Sequence, residues 1–129
     1  MEQINSKNYI DWIKKADEDE LAIKAILKEK GPFSIACFLS QQMAEKYLKA
    51  LLVFYNKPFS KVHDLIVLET LISKETLKIK QFHNYLKSLN RYYIETRYPG
   101  DYPEFFWDEA EEAYTAAKKI KEFVLKKIE

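Results

Sequence analysis

Only two glycines, Gly31 and Gly100, occur in this chain of 129 residues, and its four prolines are Pro32, Pro58, Pro99 and Pro103. Glycine and proline are the residues that interrupt regular backbone, and here they fall in a few clusters. The long stretches left between them read as helices. A chain of this length closes around one core, burying roughly two-thirds of its unfolded surface. With 47% hydrophobic and 32% charged residues, the balance is that of a globular domain. No repeat, low-complexity segment or linker divides it. The expected fold is one all-α domain of about five helices over residues 1–129.

The apolar spacing places these helices. The first is predicted over Asn8 to Lys30, with Trp12, Ala16, Ile23 and Leu27 on one stripe of a 3.6-residue period. The acidic run Asp17–Glu20 sits largely off that stripe and reads as a solvated face. Gly31-Pro32 ends this helix and starts the second, predicted over Pro32 to Tyr55. Phe38, Leu39, Ala44, Tyr47, Leu48, Leu51 and Leu52 spread around more than one side of it, so it should be central. Asn56-Lys57-Pro58 closes it. Asp64 is a natural N-cap for a short third helix that buries Leu65, Leu68 and Ile72. The fourth runs from near Thr76 to about Thr96, with Phe82, Tyr85, Leu86, Leu89 and Tyr93 on one face. Asp101 and Glu104 form a capping-box pattern for the fifth. That helix reads Phe106, Ala110, Ala113, Ala117, Ile120, Val124 and Ile128. Its acidic first turns and lysine-rich last turns match the helix dipole, and they make one end of the domain acidic.

The same residues exclude several classes of function. A formal net charge of +1 supplies no global field for nucleic acid or an anionic membrane. Cys37 is the lone cysteine, so no internal disulfide or thiolate metal cluster forms, and its apolar surroundings mark it as a small buried hydrophobe. The longest unbroken apolar run, Ala50–Tyr55, is far short of the roughly 18–20 residues that span a bilayer. The first residues lack the basic and apolar regions of a secretory signal, so the expected location is cytoplasmic. Neither metal-ligand spacing nor a phosphate-cradling glycine loop nor a nucleophile–base pair appears, and no metal or cofactor is expected.

Three segments carry a family resemblance. They are the second-helix run Ala36-Cys37-Phe38-Leu39-Ser40-Gln41-Gln42-Met43-Ala44-Glu45-Lys46-Tyr47-Leu48-Lys49-Ala50-Leu51-Leu52, the tripeptide His63-Asp64-Leu65, and the stretch Tyr92-Tyr93-Ile94-Glu95-Thr96-Arg97-Tyr98-Pro99. In this order and at these distances they resemble the HEPN domain of bacteria and archaea, over nearly the whole chain from Trp12 onward. The resemblance implies an up-and-down helical bundle of four long helices plus one short helix, commonly as a homodimer. It also implies a neighbouring minimal nucleotidyltransferase and a nucleotide as possible partners. Many members are ribonucleases, several of them toxins, with Arg followed by His after four to six residues. In those, the imidazole transfers a proton and the guanidinium steadies the phosphate. This chain departs from that pattern. At the required distances after Arg91 stand Thr96, Arg97 and Tyr98, and after Arg97 stand Tyr102, Pro103 and Glu104. Tyrosine is a poor substitute, since a pKa near 10 leaves little base at neutral pH. No catalytic residue is therefore assigned, and RNA is not the favoured ligand.

The candidate ligand-binding residues are Gln42, Lys46, Lys49, Arg91, Arg97 and Tyr98. Gln42, Lys46 and Lys49 fall at i, i+4 and i+7 of the second helix. They form either an electropositive groove for phosphate, joined by Arg97 and Tyr98, or an exposed edge whose lysine stems cover apolar neighbours. His63 reads as a helix-start residue beside a capping Asp, and His83 as an exposed side chain. Tyr92, Tyr93 and Tyr98, with Trp107, form an aromatic patch suited to a core, a dimer interface or stacking on a base. The leading expectation is a non-catalytic homodimeric module partnering a nucleotidyltransferase. The alternatives are a toxin-type ribonuclease with a degenerate site and a purely structural dimerisation module.

Overall fold

The structure, a computed structural model, describes residues 8–95 and 105–129. Among them the fold is all helical. Helix α1 spans Tyr9–Lys28, α2 Phe33–Phe54, α3 Leu65–Ser73, α4 His83–Asn90, α5 Tyr92–Glu95 and α6 Trp107–Ile128, with a 3-10 segment over Leu77–Phe82 before α4. As its two-sided apolar pattern predicts, α2 is the central element. It packs along α1 on one flank and α6 on the other, with α3 and α5 completing its surroundings. Ala36, Cys37, Met43, Ala44, Tyr47, Leu48, Leu51 and Leu52 are all fully buried along it.

Local chemistry sets the helix ends. The Asn8 side chain accepts from the Ile10 N–H at 2.9 Å and starts α1. At the other end Lys30 takes the left-handed conformation (φ 61°), and the Gly31 N–H reaches back to the Ile26 carbonyl at 3.0 Å. Asn56 (φ 62°) ends α2 in the same way, with Lys57 N–H donating to the Leu52 carbonyl at 2.9 Å. Asp64 caps α3 as predicted, accepting from the Ile66 N–H at 2.9 Å. A second side chain serves the same helix start: Asn90 Oδ1 accepts from the Leu65 N–H at 2.8 Å, and its Nδ2 donates to Asp64 Oδ1 at 2.9 Å.

That bond helps explain one departure from the predicted boundaries. The long fourth helix expected over 76–96 is divided into the 3-10 segment, α4 and α5, with a turn at Arg91. Asn90, a weak helix former, spends its side chain on α3 where α4 stops. The inward positions are Ile79, Leu86, Leu89 and Tyr92, whereas Tyr85, expected inside, is exposed. The fifth predicted helix is α6, and it begins at Trp107. Its start is helped by the Phe106 N–H, which donates to Glu109 Oε2 at 2.8 Å. Phe106 itself is 59% exposed instead of belonging to the buried stripe. The Asp101–Glu104 capping pair lies outside the described residues.

A further correction concerns the acidic run of α1, which is largely engaged with the bundle instead of being simply solvated. Asp17 Oδ1 accepts from the Tyr47 hydroxyl at 2.7 Å, and Asp19 Oδ2 pairs with Lys46 Nζ at 2.7 Å. Glu20 is buried and accepts from the Tyr114 hydroxyl and from Lys121 Nζ, both at 2.6 Å. These bonds tie α1 to α2 and to α6.

A glutamate hub on the central helix

The polar positions of α2 converge on one carboxylate. Glu45, only 3% exposed, pairs through Oε2 with Lys49 Nζ at 3.0 Å. Its Oε1 accepts from Gln41 Nε2 at 3.3 Å and from Gln42 Nε2 at 3.5 Å. Across the helix surface, His63 Nδ1 lies 3.2 Å from both carboxylate oxygens. A carboxylate only accepts, so Nδ1 carries the hydrogen in this arrangement, and in the neutral ring Nε2 holds the lone pair. His63 is fixed twice more. Its carbonyl accepts from Gln41 Nε2 at 3.1 Å, and its ring stacks on Tyr93 with centroids 4.5 Å apart and planes 14° apart. Tyr93 in turn stacks on Phe38 at 6.2 Å.

The predicted ligand residues take different places around this hub. Lys49 is buried, its ammonium on Glu45 and 5.5 Å and 5.7 Å from the Trp12 and Phe59 ring centroids. Lys46 is held by Asp19; burial pushes the Asp19 carboxyl up, and Lys46 pulls it partly back. Gln42 donates to Gln41 Oε1 at 2.7 Å. Each of the two lysines thus already pairs with a carboxylate of this chain. Arg91 is exposed, its guanidinium 4.8 Å over the Tyr92 ring and donating to that hydroxyl at 2.9 Å. Arg97 and Tyr98 lie outside the described residues.

His83 has its own buried carboxylate. Its Nδ1 lies 2.8 Å from Glu69 Oε1, and Lys80 Nζ is 3.6 Å from Glu69 Oε2. Both histidines, read from sequence as incidental surface residues, are thus anchored to glutamates inside the bundle. The signal that could have found the first of them is Gln41, Glu45 and Lys49, three polar residues at steps of four on a helix otherwise destined for the core. Cys37 is buried as expected, and burial first, then the charge of Glu109, pushes its thiol up to about 12.

Beside the hub, α2 keeps one side open. Ile35 is 46% exposed, and Phe38, Leu39 and Gln42 continue that stripe at i+3, i+4 and i+7, all partly exposed, with Tyr93 alongside. The central helix, its partly exposed apolar stripe and the anchored histidine together make up the candidate functional face. The family model for the HEPN domain matches residues 9–128, nearly the entire chain. This chain belongs to the HEPN family. A crystal structure of an archaeal HEPN homologue superimposes with a TM-score of 0.77 at 29% sequence identity, covering 96% of this chain and all of that one. No curated protein matches the sequence significantly. The HEPN fold so established is all-α, as expected from the spacing, and among the described residues no helix is long and apolar enough to cross a membrane.

Proposed function

We propose that this HEPN domain is a non-catalytic binding module that works as a homodimer and as the binding subunit of a separate minimal nucleotidyltransferase, with a nucleotide as ligand. The observation that supports this reading is the open stripe of α2. Its inward side is already filled by α1 and α6, yet Ile35, Phe38 and Leu39 continue apolar surface outward at helical spacing. Apolar side chains grouped in this way gain by burial against another surface, and a stripe on one straight helix suits self-complementary pairing about a two-fold axis. Gln42 and the paired Lys46 then form a polar rim, the usual border of such an interface.

The test is co-expression of the tagged chain with a nucleotidyltransferase encoded beside its gene. The two proteins are expected to elute together in a stoichiometric complex, and the chain alone as a dimer. A chain that purifies as a monomer and leaves the nucleotidyltransferase behind would remove the support for this reading.

A further inference from the structure

The imidazole of His63 is the most completely positioned exposed group on this face. One edge is tied by Nδ1 to Glu45, its main chain is tied by Gln41, and one ring face is covered by Tyr93. The side chain nevertheless keeps 45% of its surface in solvent. With one face and one edge occupied, that exposure belongs to the opposite face and to the edge bearing Nε2. The stack Phe38–Tyr93–His63 thus ends in a part-exposed ring with no aromatic partner on its outer face among the described residues, its orientation fixed from inside the bundle.

We propose that this outer face of His63 is a stacking platform for the base of a nucleotide, with Nε2 and the side chain of Gln42 as its polar border. The inference rests on the nucleotide-binding part of the reading above and gives it a location. A flat π-system that is already ordered loses little entropy when a second ring settles on it, which is why fixed aromatic platforms bind bases without sequence readout. Hydrogen-bonding capacity at the border suits a heterocycle better than a purely apolar ring. The Gln42 amide nitrogen is spent on Gln41 and Glu45, and its carbonyl oxygen has no hydrogen bond among the described residues. The Gln42 oxygen brings no full charge, and the nearby Lys49 is neutralised by Glu45. The platform therefore recognises the base and not the phosphate. A purine, with the larger face, is the better occupant.

The chain contains only two histidines, so their imidazole Cε1–H proton signals can be followed directly in the full-length protein, with His83 as internal control. Titration with AMP and with adenosine should shift the His63 signal upfield by the ring current of the stacked base and leave His83 in place. Ribose 5-phosphate should do neither. His63→Ala should weaken AMP binding about ten-fold, within the range for one lost base–ring stack, while His63→Phe, which keeps an aromatic face, should retain it. The proposal is overturned if millimolar AMP leaves the His63 signal unmoved. It is also overturned if ribose 5-phosphate binds as well as AMP, or if a folded His63→Ala protein binds AMP like the wild type. Dimerisation and capture of the nucleotidyltransferase, measured on the same protein, stand or fall separately from these outcomes.

Discussion

Replacing Glu45 by leucine should strand the Lys49 ammonium inside the bundle. The pair is 3.0 Å long and its side chains are only 7% and 5% exposed, so solvent screens it little. Breaking a buried ion pair from one side costs roughly 3–5 kcal/mol. Lys49 lies over the Trp12 and Phe59 rings in both proteins, so those contacts cancel in the difference. The net loss, at the middle of that range, is ~4 kcal/mol. With an unfolding entropy of about 2.1 cal/mol/K per residue, the melting temperature should fall by ~15 °C. Lys49→Met should cost less, because Gln41, Gln42 and His63 still donate to the carboxylate. The double variant Glu45→Leu/Lys49→Met removes both charges and should come within ~1 kcal/mol of the wild type. Urea unfolding of all four proteins gives the coupling directly. If Glu45→Leu is nearly neutral, or if the double variant is worse than either single one, the carboxylate is not the hub described above.

Glu20 makes the stability of the α1–α6 contact depend on acid. Burial raises its carboxyl, but hydrogen bonds from Lys121 and Tyr114 outweigh that and hold it below the ordinary glutamate value. A carboxyl lowered in the folded state contributes stability above its unfolded pKa of about 4.3, and that contribution is lost as pH falls through the lower folded value. Glu20→Gln should therefore flatten the acid limb of a plot of urea midpoint against pH. Burial of Cys37, its thiol pushed up to about 12, predicts no reaction with a thiol reagent in the native protein at neutral pH and full reaction in denaturant. Lys30→Gly should raise stability by about 1 kcal/mol, since a side chain there holds a left-handed backbone at φ 61°; unchanged thermal unfolding would contradict the cap assignment.

The helices were legible because apolar spacing and breakers are local signals. Asp64, Asn56 and the α2 stripe each work as their sequence context suggests. What sequence left dark was pairing across helices. The acidic run of α1 reads as solvated because its partners, Tyr47, Lys46, Tyr114 and Lys121, are at least 27 positions away along the chain. Lys46 and Lys49 read as free cations for the same reason in the first case. In the second, the i,i+4 partner Glu45 stands in the sequence, but the burial of the pair does not. The division of the fourth predicted helix depends on Asn90 reaching the start of α3, a contact no periodicity encodes. His63 looked like a bystander because the glutamate that holds it belongs to another helix.

Light scattering on the purified chain, with and without a charge placed in the open stripe of α2, bears most directly on the idea of a paired binding module. The wild type should show twice the 15.4 kDa chain mass, and Phe38→Glu should return a folded protein of single mass. A wild-type chain of single mass, or a Phe38→Glu protein still at double mass, would contradict it.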